Sequence, residues 1–273
     1  MAWSPDGTHL ATGGDEATYI WNLSAGTTTR ILEDPGYWVR SVAWSPDGTH
    51  LATGGGGGID SEIVHIWNVA TSRFTRVFGH YTGSVLSVAW SPDGTHLAAG
   101  DNDGTVHLWD LATGTTTRPL GDRTGSVRSV AWNPDGTHLA AGDNDGTVQL
   151  WDLTTGTPPR TLEDHTGWIY SVAWSPDGTH LATGGQNAVH IWNTATGTLA
   201  HTLEDRTGSV RSVAWSPDGT RLAIGGQNAV HIWNTATGPL AHTLEDHTGW
   251  IYSVAWSPDG THLATGGQNA VHI

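Results

Sequence analysis

The chain has 273 residues, and its 26 acidic residues against 11 basic ones give a net charge of −15. This balance disfavours nucleic acid and anionic membranes as partners, because both need a positive protein surface. No cysteine is present, which excludes disulfide bonds and thiol chemistry. The chain starts without a basic segment followed by an apolar one, and no stretch approaches a membrane span, so we predict a cytoplasmic protein.

One tetrad, Trp-Ser-Pro-Asp followed by Gly, recurs seven times, with Asn133 replacing the serine once. Successive copies are 41 to 46 residues apart, and a second tryptophan, followed by Asn or Asp, comes 18 to 23 residues after the first in six of them. A fixed period in this range indicates an array of one supersecondary unit. The units begin near residues 1, 36, 82, 124, 166, 207 and 248.

Within one unit the sequence predicts four short strands separated by tight turns. Pro-Asp-Gly provides a fixed φ and then a residue free to adopt positive φ, which is typical of a turn. In the fourth copy the strands are predicted at Ser126–Trp132, His138–Ala141, Thr147–Asp152 and Pro159–Leu162. No segment has a helical apolar period. Because one such sheet cannot bury both faces, each unit must stack on its neighbours.

Two regions depart from the regular pattern. The run Gly54–Gly58 lies in an insertion of the second unit and is predicted to be a flexible loop. The chain starts inside a first strand at Met1 and stops inside a third strand at Ile273, so the last unit is expected to lack its outer strand. Such an uncovered strand invites pairing with another chain, which predicts self-association at the seam between the first and last units.

These motifs together resemble the Trp-Asp repeat (WD-repeat) β-propeller family across all 273 residues. They include Asp-His at 164–165 and 246–247, Gly79-His80, the repeated Ser-Val-Ala-Trp-Ser-Pro-Asp-Gly, and Trp-Asp at 109–110 and 151–152. The resemblance implies an all-β, seven-bladed propeller of four-stranded antiparallel blades, with residues 1–273 as a single domain and first strands lining a central channel. Residues 161–191 and 243–273 are identical, which indicates recent amplification of the repeats.

The resemblance also implies a buried hydrogen-bond network of His, Ser or Thr, Asp and Trp in each blade. Its members fall on the third to fifth units, and no unit carries all of them, since Ala99 and Ala141 replace the hydroxyl residue in two cases. The structural residues expected from it are His80, Asp103, Trp109, Asp145, Trp151, His165, Thr183 and Trp192.

Candidate catalytic and metal sites have simpler explanations. Histidine follows Asp-Gly-Thr in six units, but these side chains would lie on six different blades, too far apart to share an ion. The run Asp101–Gly104 lacks the spacing of a calcium loop and is predicted to be a turn. No unit has a unique Ser, His and Asp set. We therefore expect no enzyme activity, no cofactor and no metal.

The copies differ most where the first strand begins, and this divergence predicts the binding face. Trp, Tyr and Arg, the types enriched at binding hot spots, occupy these positions in several units. The predicted partner-binding residues are Trp38, Arg40, Arg128, Trp168, Tyr170, Arg211, Trp250 and Tyr252. The favoured function is a protein- or peptide-binding scaffold or signalling sensor. The alternatives are a small-ligand or glycan binder at the channel mouth, and a fragment or engineered repeat array without a selected partner.

Overall fold

The computed structural model describes most of the chain. The described residues are 1–57, 63–79, 83–116, 119–120, 125–163, 165–186, 188–204, 208–236, 240–245, 247–268 and 270–273, with only the backbone of residues 34–36, 63 and 204. Within these ranges every regular element is a β-strand, which confirms the all-β prediction. The chain divides into two compact units, residues 1–130 and 131–273, and the boundary falls inside a strand. The assignment of residues 1–273 to a single domain stays a prediction.

The first unit contains two antiparallel sheets whose strands follow chain order. The seven-stranded sheet comprises β1 (Ala2–Trp3), β2 (His9–Gly13), β3 (Asp15–Asn22), β4 (Thr27–Trp44), β5 (His50–Gly56), β6 (Ile63–Asn68) and β7 (Arg73–Gly79). The second sheet comprises β8 (Val85–Trp90), β9 (His96–Asp101) and β10 (Val106–Asp110). Single bridges from Val106 to Leu120 and from Trp109 to Thr116 place a fourth segment beside β10.

The remaining strands form four more antiparallel sheets, again in chain order. Three of these sheets have four strands: β11 (Val127–Trp132), β12 (His138–Asp143), β13 (Thr147–Asp152) and β14 (Arg160–Glu163); β15 (Ile169–Trp174), β16 (His180–Gly185), β17 (Ala188–Asn193) and β18 (Leu199–Glu204); β19 (Ser212–Trp215), β20 (Arg221–Gly225), β21 (Val230–Asn234) and β22 (Leu240–Leu244). The last described sheet has three: β23 (Ile251–Trp256), β24 (Leu263–Gly267) and β25 (Val271–His272). The unit boundary lies within β11.

One sequence expectation needs correction in the second repeat. The predicted start of this repeat near residue 36 lies within β4, one continuous strand that pairs with β3 and then, from Trp38, with β5. Tyr37 stands where other repeats have glycine, and it is buried, so the chain stays extended there. The glycine run is not all loop, because Gly54–Gly56 end β5 and are buried. A Cβ on Gly55 would overlap the Trp38 carbonyl oxygen, which explains why glycine is required. Gly58 lies outside the described residues.

The Ser-Pro-Asp-Gly turn is held by the same bonds in six repeats, and in the fourth the Asn133 side chain replaces the serine hydroxyl in them. In the third repeat the Ser91 hydroxyl and the Thr95 amide and hydroxyl donate to Asp93, and the His96 amide donates to Ser91 Oγ. These bonds, led by that from Ser91, lower the pKa of Asp93 to about 2. Gly94 has φ of 71°, a left-handed conformation that favours glycine. The turn thus joins the first and second strands without help from the rest of the fold.

The core lies between successive sheets, as the stacking argument predicts. One cluster joins Val189 and Ile191 of β17 to Val213 of β19 and Leu222 of β20. The two sheets approach closely at Gly184, where a Cβ would lie 2.7 Å from Val210 Cγ1. The sheets are also linked by hydrogen bonds: Trp215 Nε1 donates to the Ala173 carbonyl, as do tryptophans of four other first strands to the equivalent alanines. Burial and these bonds make each sheet depend on the next.

Candidate binding face

Three consecutive repeats bring aromatic side chains and one arginine together where their first strands begin. The Arg211 guanidinium carbon lies 4.3 Å from the ring centre of Tyr170 and 4.9 Å from that of Trp250. Trp168 packs edge-on against Tyr170, with ring centres 5.9 Å apart. We call these four side chains, together with Tyr252 two residues after Trp250 in the same strand entry, the aromatic–arginine cluster.

A β-bulge in the first strand explains how side chains of the cluster become exposed to a partner. The pairing register of β15 with β16 shifts between Ile169 and Ser171, which leaves Tyr170 as an extra residue in the first strand. The same shift occurs around Tyr252 in β23. A β-bulge of this kind redirects a side chain while its neighbours keep the regular alternation. Ile169 is accordingly fully buried, whereas Tyr252 is 50% exposed and Trp168 is 39% exposed.

In the sixth repeat, the turn between the second strand, β20, and the third strand, β21, borders the cluster. The Asn228 amide donates to the Gly249 carbonyl, and the Gly249 amide donates to Asn228 Oδ1, at 2.9 and 2.8 Å. Gln227 forms a backbone bridge with Trp250, and Gln268 Nε2 donates to the Tyr252 hydroxyl at 3.4 Å. The turn of the sixth repeat therefore holds the backbone at Gly249 and Trp250, and the Gln268 side chain contacts Tyr252.

The other predicted binding residues lie in the first unit. Trp38 is 55% exposed, and Arg40 is exposed at a register shift of β4 equivalent to that at Tyr170. Arg128 is partly buried in β11, and its Nε atom is inaccessible to solvent. These three side chains are thus presented by the same strand position as the cluster, on a different compact unit.

Three members of the predicted buried network, His165, Thr183 and Trp192, are linked in the fifth repeat. Thr183 Oγ1 accepts a hydrogen bond from Trp192 Nε1 at 3.0 Å and is 2.6 Å from His165 Nε2. The His165 ring stacks on His190, with centres 4.0 Å apart. Burial, and to a lesser degree His190, lower the pKa of His165 to about 3. The imidazole is therefore neutral at physiological pH, which suits a structural role.

In the third and fourth repeats the structure assigns the turn carboxylate differently from the sequence. Asp103 and Asp145 are exposed, while Asp101 and Asp143, two residues earlier, are buried. Asp101 accepts hydrogen bonds from two turn amides and lies 2.9 Å from His107 Nε2. The first carboxylate ends the strand and points inward, so it is buried instead of the second.

The remaining members of the predicted network are tryptophans, apart from His80. Trp109 and Trp151 are both 3% exposed, and Trp109 stacks on Phe78 with ring centres 4.9 Å apart. His80 lies outside the described residues.

Other side chains that are chemically able to bind a metal or take part in catalysis have structural partners. Histidines after Asp-Gly-Thr are held locally, as when His50 Nδ1 lies 2.7 Å from Thr49 Oγ1. Within the described ranges, no group of three or more His, Asp or Glu side chains is placed to hold a metal ion. No helix that could cross a membrane occurs in the part of the chain that the structure describes. The aromatic–arginine cluster is therefore the best candidate site.

Comparison with known proteins supports this architecture. The family model for the IFT122 first beta-propeller matches residues 1–176 and again 84–230, and the model for the WD domain, G-beta repeat, matches residues 238–273. A chain in a crystal structure of the Mitotic Checkpoint Complex is 28% identical, with a TM-score of 0.88 over 97% of this chain and 82% of that chain. No curated protein sequence matches.

Such propellers are generally non-enzymatic scaffolds that bind proteins or peptides. The fold is shared by many solved chains, so it leaves the partner open. The matched family models cover both compact units, and the repeat motif is the one that defines the family. The chain belongs to the family of WD-repeat β-propellers described by the IFT122 first-propeller model.

Proposed function

We propose that the chain is a non-enzymatic scaffold or sensor module that binds a protein or peptide through the aromatic–arginine cluster. The observation that supports it most is the position of Arg211 over two aromatic rings supplied by the neighbouring repeats. Cation–π contacts hold these three side chains in place before a partner arrives. Binding then immobilises fewer free side chains, which raises affinity.

The exposed rings of the cluster are suitable anchors for a partner. Trp168 and Tyr252 combine a large apolar surface with a polar tip and have few rotamers to lose. They differ between repeats that are otherwise nearly identical, since Ser209 and Arg211 occupy the corresponding positions of the sixth repeat. Diversity at this position on a constant frame is what a binding surface requires.

A random peptide library panned against the full chain tests the proposal. Trp250→Ala should weaken binding of the enriched peptides about 30-fold or more, because loss of a hot-spot residue costs on the order of 2 kcal/mol or more. Val77→Ala is the matched control, since Val77 is an exposed residue of the outer strand β7. Thermal unfolding of each variant checks that the fold is retained. Failure to enrich any peptide, or equal binding by Trp250→Ala, would refute the proposed site.

The proposal includes a seven-bladed propeller. Its support is that each of the seven tetrads begins at the last residue of a strand, from Trp3 in β1 to Trp256 in β23. Self-association near residue 273 and the cytoplasmic location stay predictions from the sequence. Analytical ultracentrifugation over a range of concentrations tests the first, because pairing of strand edges would increase the sedimentation coefficient with concentration.

A further inference from the structure

The contacts of Arg211 restrict what its guanidinium can bind. The Tyr170 and Trp250 rings lie against it, and its Nε atom is inaccessible to solvent and has no hydrogen-bond partner among the described residues. A guanidinium donates only in its plane, so the terminal Nη groups are the donors left for a ligand. Two parallel N–H groups of this kind match the two oxygens of a carboxylate.

The turns next to the cluster carry no opposing charge. In the third and fourth repeats the turn between the second and third strands contains two carboxylates, as in Asp101 and Asp103. The fifth to seventh repeats replace this segment with Gly-Gln-Asn, and Gln227 and Asn228 of that turn contact the start of the seventh repeat. A positive charge is therefore kept beside neutral amides in a chain whose net charge is −15.

We propose that Arg211 binds a carboxylate of the partner peptide, an Asp or Glu side chain, while the neighbouring rings hold apolar side chains on either side of it. This inference rests on the proposed function and names the chemistry of the ligand. A charge-assisted bond formed beside aromatic rings is stronger than one in open water, because the rings displace solvent. A phosphate group normally requires several arginines, and among the residues that the structure describes Arg211 is the one cation found over these two rings.

The probes are pools of peptides that are random except at one central position. The pools differ from one another only in the residue fixed at that position. That position is Asp, Asn, phosphoserine or Lys, and binding of each pool is measured on the full chain, on Arg211→Gln and on Arg211→Lys. Arg221→Gln is the matched control: Arg221 belongs to the same repeat, is exposed at the start of β20, and is replaced by His in the six other repeats. Trp250→Ala is measured in parallel.

The Asp pool should bind at least about 10-fold more tightly than the Asn pool, since hydrogen bonds to charged groups contribute about 1.5–3 kcal/mol. Arg211→Gln should remove this preference, Arg211→Lys should reduce it, and Arg221→Gln should leave it unchanged. Retention of Asn-pool binding by Arg211→Gln shows that the variant is folded and its rings are in place.

Four results would overturn the inference. Equal binding of the Asp and Asn pools, both lost in Trp250→Ala, refutes the carboxylate while the proposed site stands. Tighter binding of the phosphoserine pool assigns Arg211 to phosphate instead, and a preference for Lys reverses the sign of the charge. If none of the pools binds, the proposed function fails together with the inference.

Discussion

The fifth repeat (β15–β18) and the sixth repeat (β19–β22) have nearly the same sequence but stabilise their interiors differently. In the fifth, Thr183 links Trp192 and His165 by hydrogen bonds. In the sixth, Ile224 occupies the same place, is fully buried, and belongs to the apolar core. Trp233 Nε1 is then buried without an acceptor among the described residues.

The pairing register is the same in both repeats. Thr183 pairs with His190, and Ile224 pairs with His231 at the equivalent position. The hydrogen-bond network is therefore not needed to align the strands, because alternation of apolar residues already fixes which face is buried. The hydrogen bonds of Thr183 to His165 and Trp192 instead add stability in the fifth repeat, and apolar packing of Ile224 replaces them in the sixth, where the hydroxyl is missing.

Replacing Thr183 of the fifth repeat by the isoleucine found in the sixth should have the largest effect on the free energy of unfolding. Thr183→Ile leaves the buried Trp192 Nε1 and the His165 ring without their partner, and each buried unsatisfied group costs about 1–3 kcal/mol. We expect a total loss of about 3 kcal/mol in the free energy of unfolding, measured by urea denaturation. Thr183→Ser, which keeps the hydroxyl, should lose much less. Equal stability of Thr183→Ile and the unchanged chain would show that the network contributes nothing.

Lowering the pH should reduce the stability of the folded chain through His165 of the fifth repeat. The folded pKa of His165 is about 3, below its ordinary value of 6.5. Below pH 6.5 the unfolded chain takes up a proton at this site and the folded chain does not, so stability is complete above pH 6.5 and declines towards pH 3. The decline should reach about 2 kcal/mol at pH 5.

Urea denaturation at several pH values, compared with His165→Gln, isolates this contribution. The variant should have a flatter profile between pH 7 and 5. The Ser-Pro-Asp turns act at lower pH, because the folded pKa of Asp93 and its equivalents is about 2 and that of the unfolded chain is 3.8. Parallel profiles for the two proteins between pH 7 and 5 would contradict the assignment to His165.

The reverse exchange, Ile224→Thr in the sixth repeat, should have the smallest effect on the free energy of unfolding. Ile224→Thr gives Trp233 Nε1 an acceptor, which is worth about 1 kcal/mol, but it removes buried apolar surface of similar value. We expect a net change below about 1 kcal/mol, together with a downfield shift of the Trp233 indole N–H proton in NMR spectra. An unchanged indole resonance would show that the hydroxyl does not reach the ring.

Local sequence signals predicted the strands and turns well. The Ser-Pro-Asp-Gly turn forms its bonds within a few residues, so its shape follows from its own side chains. The predicted strand His138–Ala141 lies within β12, and Thr147–Asp152 is β13. The prediction was wrong for part of the glycine run, because Gly54–Gly56 are buried against residues distant in sequence. Composition alone indicated a loop there.

The sequence predicted which positions form the candidate site, but it did not predict which of their side chains contact one another. Divergence between copies identified Tyr170, Arg211 and Trp250, yet their spacing of about one repeat gave no sign that they touch. The buried carboxylates Asp101 and Asp143 were also missed, because Asp-Asn-Asp offers two candidates and only the direction of the strand end separates them. The alternation of these strands, if followed into the turn, could have found them.

The sequence by itself determined the repeating unit, its strands and turns, and the fact that each unit must be covered by another. These properties depend on residues close together in the chain. Tertiary structure alone decided which tyrosine and tryptophan lie over Arg211. This depends on how neighbouring sheets approach each other, and that distance is set by contacts such as Gly184 on Val210, between residues that no local pattern connects.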